Sequence, residues 1–131
     1  MFAANETNRI MQTISSVQAG ILLSLHLLTQ SGSDPLTGKW TSDDKSRVIE
    51  FVKNGNAYDA LIREADDKTL VGKKQIAGLT TRDGKSFKNG TLFLIRKGKT
   101  AKCSARVLDG RTLELTGSVG FLSKSETWTK L

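Results

Sequence analysis

Residues 100–117, TAKCSARVLDGRTLELTG, contain the pattern that decides the fold. Apolar side chains take alternate positions in both halves of this stretch, at Ala101, Cys103, Ala105, Leu113 and Leu115. Because successive side chains of a β-strand point to opposite faces, this alternation predicts strands near 100–108 and 111–117. Asp109-Gly110 between them is typical of a tight hairpin, in which both central residues take positive φ. The stretch therefore predicts two antiparallel strands, each with an apolar face.

The same organisation extends over residues 34–131. Further turn signals recur at short intervals, at Asp43-Asp44, Asn54-Gly55, Asp66-Asp67, Asp83-Gly84, Asn89-Gly90 and Lys97-Gly98. Between the turns we predict strands near 38–42, 46–53, 56–63, 74–80, 91–96, 100–108, 111–117 and 123–130. Hairpin-linked strands close most simply into a barrel, because closure removes the exposed edges of a flat sheet. The sequence therefore predicts an all-β fold, a small antiparallel up-and-down barrel of about eight strands, preceded by an apolar N-terminal segment.

The first 33 residues differ from the rest of the chain. Residues 17–28, VQAGILLSLHLL, are uncharged and have the length of a signal-peptide core, too short to span a bilayer. Ser31 and Ser33 are the small residues that a signal peptidase requires, which places cleavage between Ser33 and Asp34. The alternative is a helix kept in the mature protein, because apolar residues recur with a helical period at Ile10, Ile14, Val17, Ile21 and Leu25. We expect residues 1–33 to be a signal peptide or N-terminal helix and residues 34–131 to be the barrel. The expected location is periplasmic or secreted, and no transmembrane span is expected.

Few side chains are suited to catalysis or metal binding. The sequence has one cysteine and one histidine, which excludes a disulfide framework and supplies too few ligands for a zinc site. The histidine, His26, lies in the N-terminal segment, so a barrel beginning at Asp34 has no Ser-His, Cys-His or His-metal chemistry. We therefore expect a protein that is not an enzyme, with no catalytic residue, no metal site and no cofactor.

The net charge of +7 lies entirely in the predicted barrel, because residues 1–33 contain only Glu6 and Arg9 as charged residues. Six of the cations lie around one predicted hairpin and its neighbours, at Arg96, Lys97, Lys99, Lys102, Arg106 and Arg111. A basic surface of this kind favours anionic partners. Nucleic acid is not the expected partner, because no aromatic side chains for base stacking are interleaved with these cations. An anionic component of the cell envelope remains as a candidate partner.

Two motifs carry a resemblance to known barrels. Gly38-Lys39-Trp40 resembles the start of the first strand in lipocalins. Residues 34–40, DPLTGKW, and residues 125–129, SETWT, are similar to the exported bacterial family known as domain of unknown function 2147. The resemblance implies a lipocalin-like barrel and an envelope or secreted location, without an established activity. Gly38, Trp40 and Trp128 are predicted to be structural, since glycine permits a close backbone approach and tryptophan fills a large volume.

Two functions from different classes remain open. A barrel of eight strands is just wide enough to be filled by side chains or to hold one small ligand. The first hypothesis is a non-catalytic exported barrel that binds a small apolar or amphipathic molecule. Its candidate cavity residues are Ile49, Phe51, Ala101, Cys103, Ala105, Leu113 and Leu115. The alternative is an interaction or scaffold protein, filled by its own side chains, that contacts anionic envelope partners through its basic face.

Overall fold

The computed structural model describes residues 34–131, and eight β-strands account for most of them. They are β1 (Gly38–Ser42), β2 (Arg47–Asn54), β3 (Ala57–Ala65), β4 (Lys74–Thr81), β5 (Ser86–Leu94), β6 (Lys99–Asp109), β7 (Thr112–Val119) and β8 (Leu122–Lys130). Each strand pairs antiparallel with the next, and β8 pairs with β1, so the sheet is a closed barrel. The predicted all-β up-and-down barrel is thereby confirmed. The predictions for residues 1–33 lie outside the described residues.

The connections between strands alternate between the two ends of the barrel, because successive strands run in opposite directions. The mouth end carries the β1–β2, β3–β4, β5–β6 and β7–β8 connections. The closed end carries the other three connections and the start of β1. Two connections at the mouth end contain a short 3-10 turn, at Lys68–Leu70 and Ile95–Lys97. The rest of the described chain therefore serves mainly to join strands.

β5 begins earlier than the sequence predicts, because Asn89-Gly90 is not a turn. Asn89 has a φ of 64°, and the pairing of β5 with β6 is interrupted there by a register shift. The side chain of Leu79 occupies the space beside Gly90, where an added Cβ would lie 2.6 Å from the Leu79 Cδ2 atom. The dipeptide therefore forms a bulge within a continuous strand, and its glycine is required by packing.

Trp40 fills the closed end of the barrel. Its side chain is fully buried, and its Nε1 donates a hydrogen bond to the Leu36 carbonyl oxygen at 2.9 Å. The Lys130 Nζ atom lies 5.3 Å from the centroid of the Trp40 ring. Gly38 has a φ of 121°, and an added Cβ would lie 3.2 Å from the Lys130 Cε atom. The glycine therefore provides both the backbone conformation and the close approach that this end needs.

Asp59 joins β3 to its neighbours where the β3–β4 pairing is irregular. Its side chain is buried, and Oδ1 accepts a hydrogen bond from the Gly78 amide at 3.0 Å. Oδ2 accepts a hydrogen bond from the Asn54 side-chain Nδ2 at 3.1 Å and lies 3.3 Å from the Lys74 Nζ atom. Burial acts to raise the pKa of Asp59, but these hydrogen bonds and the lysine outweigh it, so the pKa lies below its ordinary value.

Replacing Asp59 with alanine should lower the free energy of unfolding near neutral pH by about 1–3 kcal/mol, because the Gly78 amide loses its acceptor. A depressed folded-state pKa contributes stability that is present above the unfolded value, near 3.8, and is lost as pH falls through the folded value. Urea melts should therefore show a difference between Asp59→Ala and wild type that shrinks below about pH 4. The exposed Asp66→Ala serves as a control. A difference that is constant across this pH range would contradict the assigned role.

Candidate ligand-binding cavity

A cavity of about 490 Å³ opens to solvent at the mouth end of the barrel. Its wall is built from residues of β2, β4, β5, β6, β7 and β8, together with Lys97 of the turn between β5 and β6. The volume falls within the range of sites for small organic ligands. A depression of about 750 Å³ also lies along the β4–β5 hairpin, but only polar residues of that hairpin line it. The first cavity differs from this depression in having residues of six strands in its wall.

One side of the cavity is apolar. It is formed by Ile76, Leu92, Leu94, Ala101, Cys103 and Leu115. The strand register brings these side chains together, since Leu92 pairs with Ala101 and Ile76 pairs with Leu92. On β7, Gly117 pairs with Cys103 and also lines the cavity. Small side chains on β6 therefore leave room that larger residues occupy elsewhere in the barrel.

The cavity residues predicted from the sequence divide into two groups. Ala101, Cys103 and Leu115 line the cavity. The other four belong to the buried core outside the cavity wall, at Ile49, Phe51, Ala105 and Leu113. They pack with aromatic side chains such as Tyr58 and Phe87, whose rings meet edge to face at 5.3 Å. The barrel is therefore filled by its own side chains in one part and open in another.

Cys103 contributes an apolar surface to the cavity wall. The side chain is buried, and burial raises the pKa of its thiol to about 11. The thiol is therefore protonated near neutral pH, and the nucleophilic thiolate is absent. Cys103 has the character of a small apolar residue in this position.

Arg47 and Gln75 form a polar pair in the cavity wall. The Arg47 Nη1 atom donates a hydrogen bond to the Gln75 Oε1 atom. Gln75 is itself held in place, because its Nε2 atom donates to the Phe93 carbonyl oxygen at 2.8 Å. The Arg47 backbone amide donates to the Ser42 hydroxyl at 3.1 Å. The guanidinium is thus positioned by one fixed side chain at its tip and by the backbone at its base.

Trp128 lies in the core and also lines the cavity. Its side chain is only 5% exposed, and among the described residues its buried Nε1 atom has no hydrogen-bond acceptor. Trp40 differs, since its Nε1 donates to a carbonyl oxygen. A buried N–H without an acceptor is costly, and native structures rarely contain one without a reason. The Trp128 side chain is therefore a packing element that also lines the cavity, whereas its Nε1 atom is enclosed and does not contact solvent.

Charged side chains add to the wall near the mouth, at Lys97, Lys124 and Glu126. From the sequence, Lys97 was predicted only as part of the basic surface, and Arg47, Gln75, Lys124 and Glu126 were not predicted as site residues. The two-residue period of β-strands predicts that three of these five residues face inward. Counting back by two from Trp128 gives Glu126 and Lys124, and counting back by two from the inward-facing Ile49 gives Arg47. For Gln75 no such signal exists, because irregular pairing interrupts the period along β3 and β4.

The six predicted basic residues are spread over the whole length of β6. Arg96, Lys97 and Lys99 lie at its mouth end, whereas Arg111 follows it at the closed end. Three of the six side chains have partners. Arg96 pairs with Asp67, Arg106 pairs with Glu114, and Arg111 donates to the Lys130 carbonyl oxygen. Within the described part of the chain, Lys97, Lys99 and Lys102 form no ion pair.

The β7–β8 hairpin gives the mouth an apolar rim. Phe121 at its tip is fully exposed, and Val119 and Leu122 on either side are also exposed. Gly120 has a φ of 60°, which permits the tight turn. Val119 and Leu122 line the cavity as well, so the apolar wall continues to the outer edge of the mouth.

Across residues 34–131, no helix is long and apolar enough to cross a membrane. The same residues contain no group of three or more His, Cys, Asp and Glu side chains placed to hold a metal ion.

The fold and its open cavity define a lipocalin-like barrel. The structure is similar to that of protein HP1028 from the human pathogen Helicobacter pylori, which is described as belonging to the lipocalin family. The TM-score is 0.63 at 21% sequence identity, and the match covers 73% of this chain and 82% of that chain. A family model described as "Uncharacterized protein conserved in bacteria (DUF2147)" matches residues 38–130, and the chain belongs to this family. No curated protein matches the chain.

Proposed function

We propose that the barrel is a non-catalytic binding protein that takes a small apolar or amphipathic molecule into its cavity. The observation that carries this proposal is the open cavity of about 490 Å³, apolar on one side and polar on the other. Ligand sites in proteins combine mostly apolar walls with a few placed polar groups. The lipocalin-like fold supports the same reading, since small barrels of this kind can hold one small ligand.

The non-catalytic part of the proposal is supported by the chemistry of the cavity wall. Cys103 is protonated near neutral pH, because burial raises the pKa of its thiol. Histidine does not occur in residues 34–131. Arg47 and Gln75, the polar pair in the wall, are a hydrogen-bond donor and an amide suited to binding.

Titration of the full chain with the neutral fluorescent dye Nile red tests the proposal. The expected result is saturable binding at one site per barrel, with the blue-shifted emission of a dye in an apolar environment. Competition by unlabelled single-chain amphiphiles should release the dye. Emission that remains at its value in water throughout the titration would contradict a ligand-binding cavity.

We also propose that the protein is exported, to the periplasm or beyond the cell. The support lies in the uncharged residues 17–28 and in the small residues Ser31 and Ser33. Mass spectrometry of the protein recovered from its native host should give an N-terminus at or near Asp34. An intact Met1 or Met11 on the functional protein would contradict cleavage.

A second candidate is an interaction protein that contacts an anionic envelope component. The observation that favours it is the set of unpaired cations Lys97, Lys99 and Lys102 on and beside β6. The double variant Lys99→Ala with Lys102→Ala should then weaken attachment to anionic vesicles, most strongly at low salt. Nile red binding should remain unchanged in this variant, because neither lysine lines the cavity.

A further inference from the structure

We propose that the ligand is an amphiphile with an anionic oxygen head group, held by the Arg47 guanidinium. Its tail lies along the apolar wall formed by β5, β6 and β7. This inference rests on the proposed binding function and names the class of ligand.

The Arg47 guanidinium has hydrogen-bond donors that are not used, and Gln75 holds it in place. A guanidinium carries five N–H donors, and the hydrogen bond to Gln75 uses one of them. Within the described residues no carboxylate lies within ion-pair distance of Arg47. Gln75 is 6% exposed and is anchored to the Phe93 carbonyl, so it holds the guanidinium in one orientation. A half-buried guanidinium without a carboxylate favours an anion that accepts several hydrogen bonds.

The guanidinium of Arg47 lies beside the apolar wall. Its Nη1 atom donates to Gln75 of β4, and Gln75 donates to the Phe93 carbonyl oxygen of β5. Leu92 and Leu94 of the apolar wall also lie on β5. A head group bound at Arg47 can therefore continue into a tail that lies along this wall.

The charges around the mouth have the sign that this ligand needs. Arg47, Lys97 and Lys124 line the cavity together with one carboxylate, Glu126. The wall is therefore net positive. A positive potential at the opening of a cleft attracts anions and disfavours cations.

Displacement of Nile red from the full chain by compounds with the same tail tests the inference. Decanoate and decyl phosphate should compete at least about ten times more strongly than decanol or decyltrimethylammonium, since hydrogen bonds to charged groups are the stronger kind. Comparison of decanoate with decyl phosphate distinguishes a carboxylate from a phosphate head group. Equal competition by all four compounds would overturn the anionic class while leaving the binding function intact. Failure of Nile red itself to bind would instead contradict the binding function.

A variant of Arg47 provides the second arm. Arg47→Gln should weaken decanoate binding by about 10- to 100-fold, with little change for decanol. Arg63→Gln is the matched control, because Arg63 pairs with Glu50 on the surface and does not line the cavity. Decanoate affinity that is unchanged in Arg47→Gln would overturn the assignment.

Discussion

The variant Trp40→Ala should unfold with a free energy about 3–5 kcal/mol below that of the wild type. Trp40 is fully buried at the closed end, where its ring packs in the core and its Nε1 donates to Leu36. Removal of the side chain leaves a large cavity and deletes the hydrogen bond to the Leu36 carbonyl oxygen. Small domains have a stability of about 5–15 kcal/mol, so the loss is a large part of the total. Equilibrium denaturation in urea, followed by circular dichroism, measures the difference.

Phenylalanine at the two tryptophan positions provides a matched comparison. Trp40→Phe removes the hydrogen bond to Leu36 as well as part of the ring, so a loss beyond that of packing, about 1 kcal/mol, is expected. Trp128→Phe removes an N–H that has no acceptor among the described residues, so no such extra loss is expected there. Near wild-type stability of Trp40→Ala would show that this side chain is not the plug of the closed end.

The variant Ala101→Phe should lose Nile red binding almost completely. Ala101 lies in the apolar wall beside Leu92, and a phenylalanine ring at this position projects into the cavity. The ring then occupies the space that the dye requires. Fluorescence titration of wild type and variant under the same conditions gives the comparison.

Thr100→Phe is the matched control for this substitution. Thr100 is exposed and precedes Ala101 on β6, so its side chain points to the outer face of the barrel. The added ring therefore lies outside the cavity, and dye binding should be retained. Urea melts of both variants establish that each is folded. Full binding by a folded Ala101→Phe would place the dye somewhere other than this cavity.

The architecture was predictable because strand periodicity and turn chemistry are local. The alternation at Ala101, Cys103 and Ala105 and the regular turn dipeptides were enough for an eight-stranded barrel. The predicted start of β5 was wrong, because Asn89-Gly90 has the composition of a turn but lies within the strand. Its role as a bulge depends on Leu79, which is distant in sequence and packs against Gly90.

The cavity was predictable only in part, because volume depends on packing between strands. Alternation places Ile49 and Ala101 on inward faces alike, but does not reveal that Ile49 is packed into the core whereas Ala101 faces open space. The role of Arg47 depends on Gln75, twenty-eight residues further along the chain. Only the folded barrel shows that the Trp128 Nε1 has no acceptor within residues 34–131.

The most direct test of a ligand-binding cavity is a two-dimensional proton–nitrogen NMR titration of the labelled full chain with decanoate. The protein has two tryptophans, so its spectrum should contain two indole N–H signals, which Trp128→Phe assigns. The Trp128 signal should move as decanoate binds, because this indole lines the cavity. The Trp40 signal should stay in place, because its N–H is bonded to Leu36 at the closed end. A Trp128 signal that stays unchanged at saturating decanoate would contradict the account.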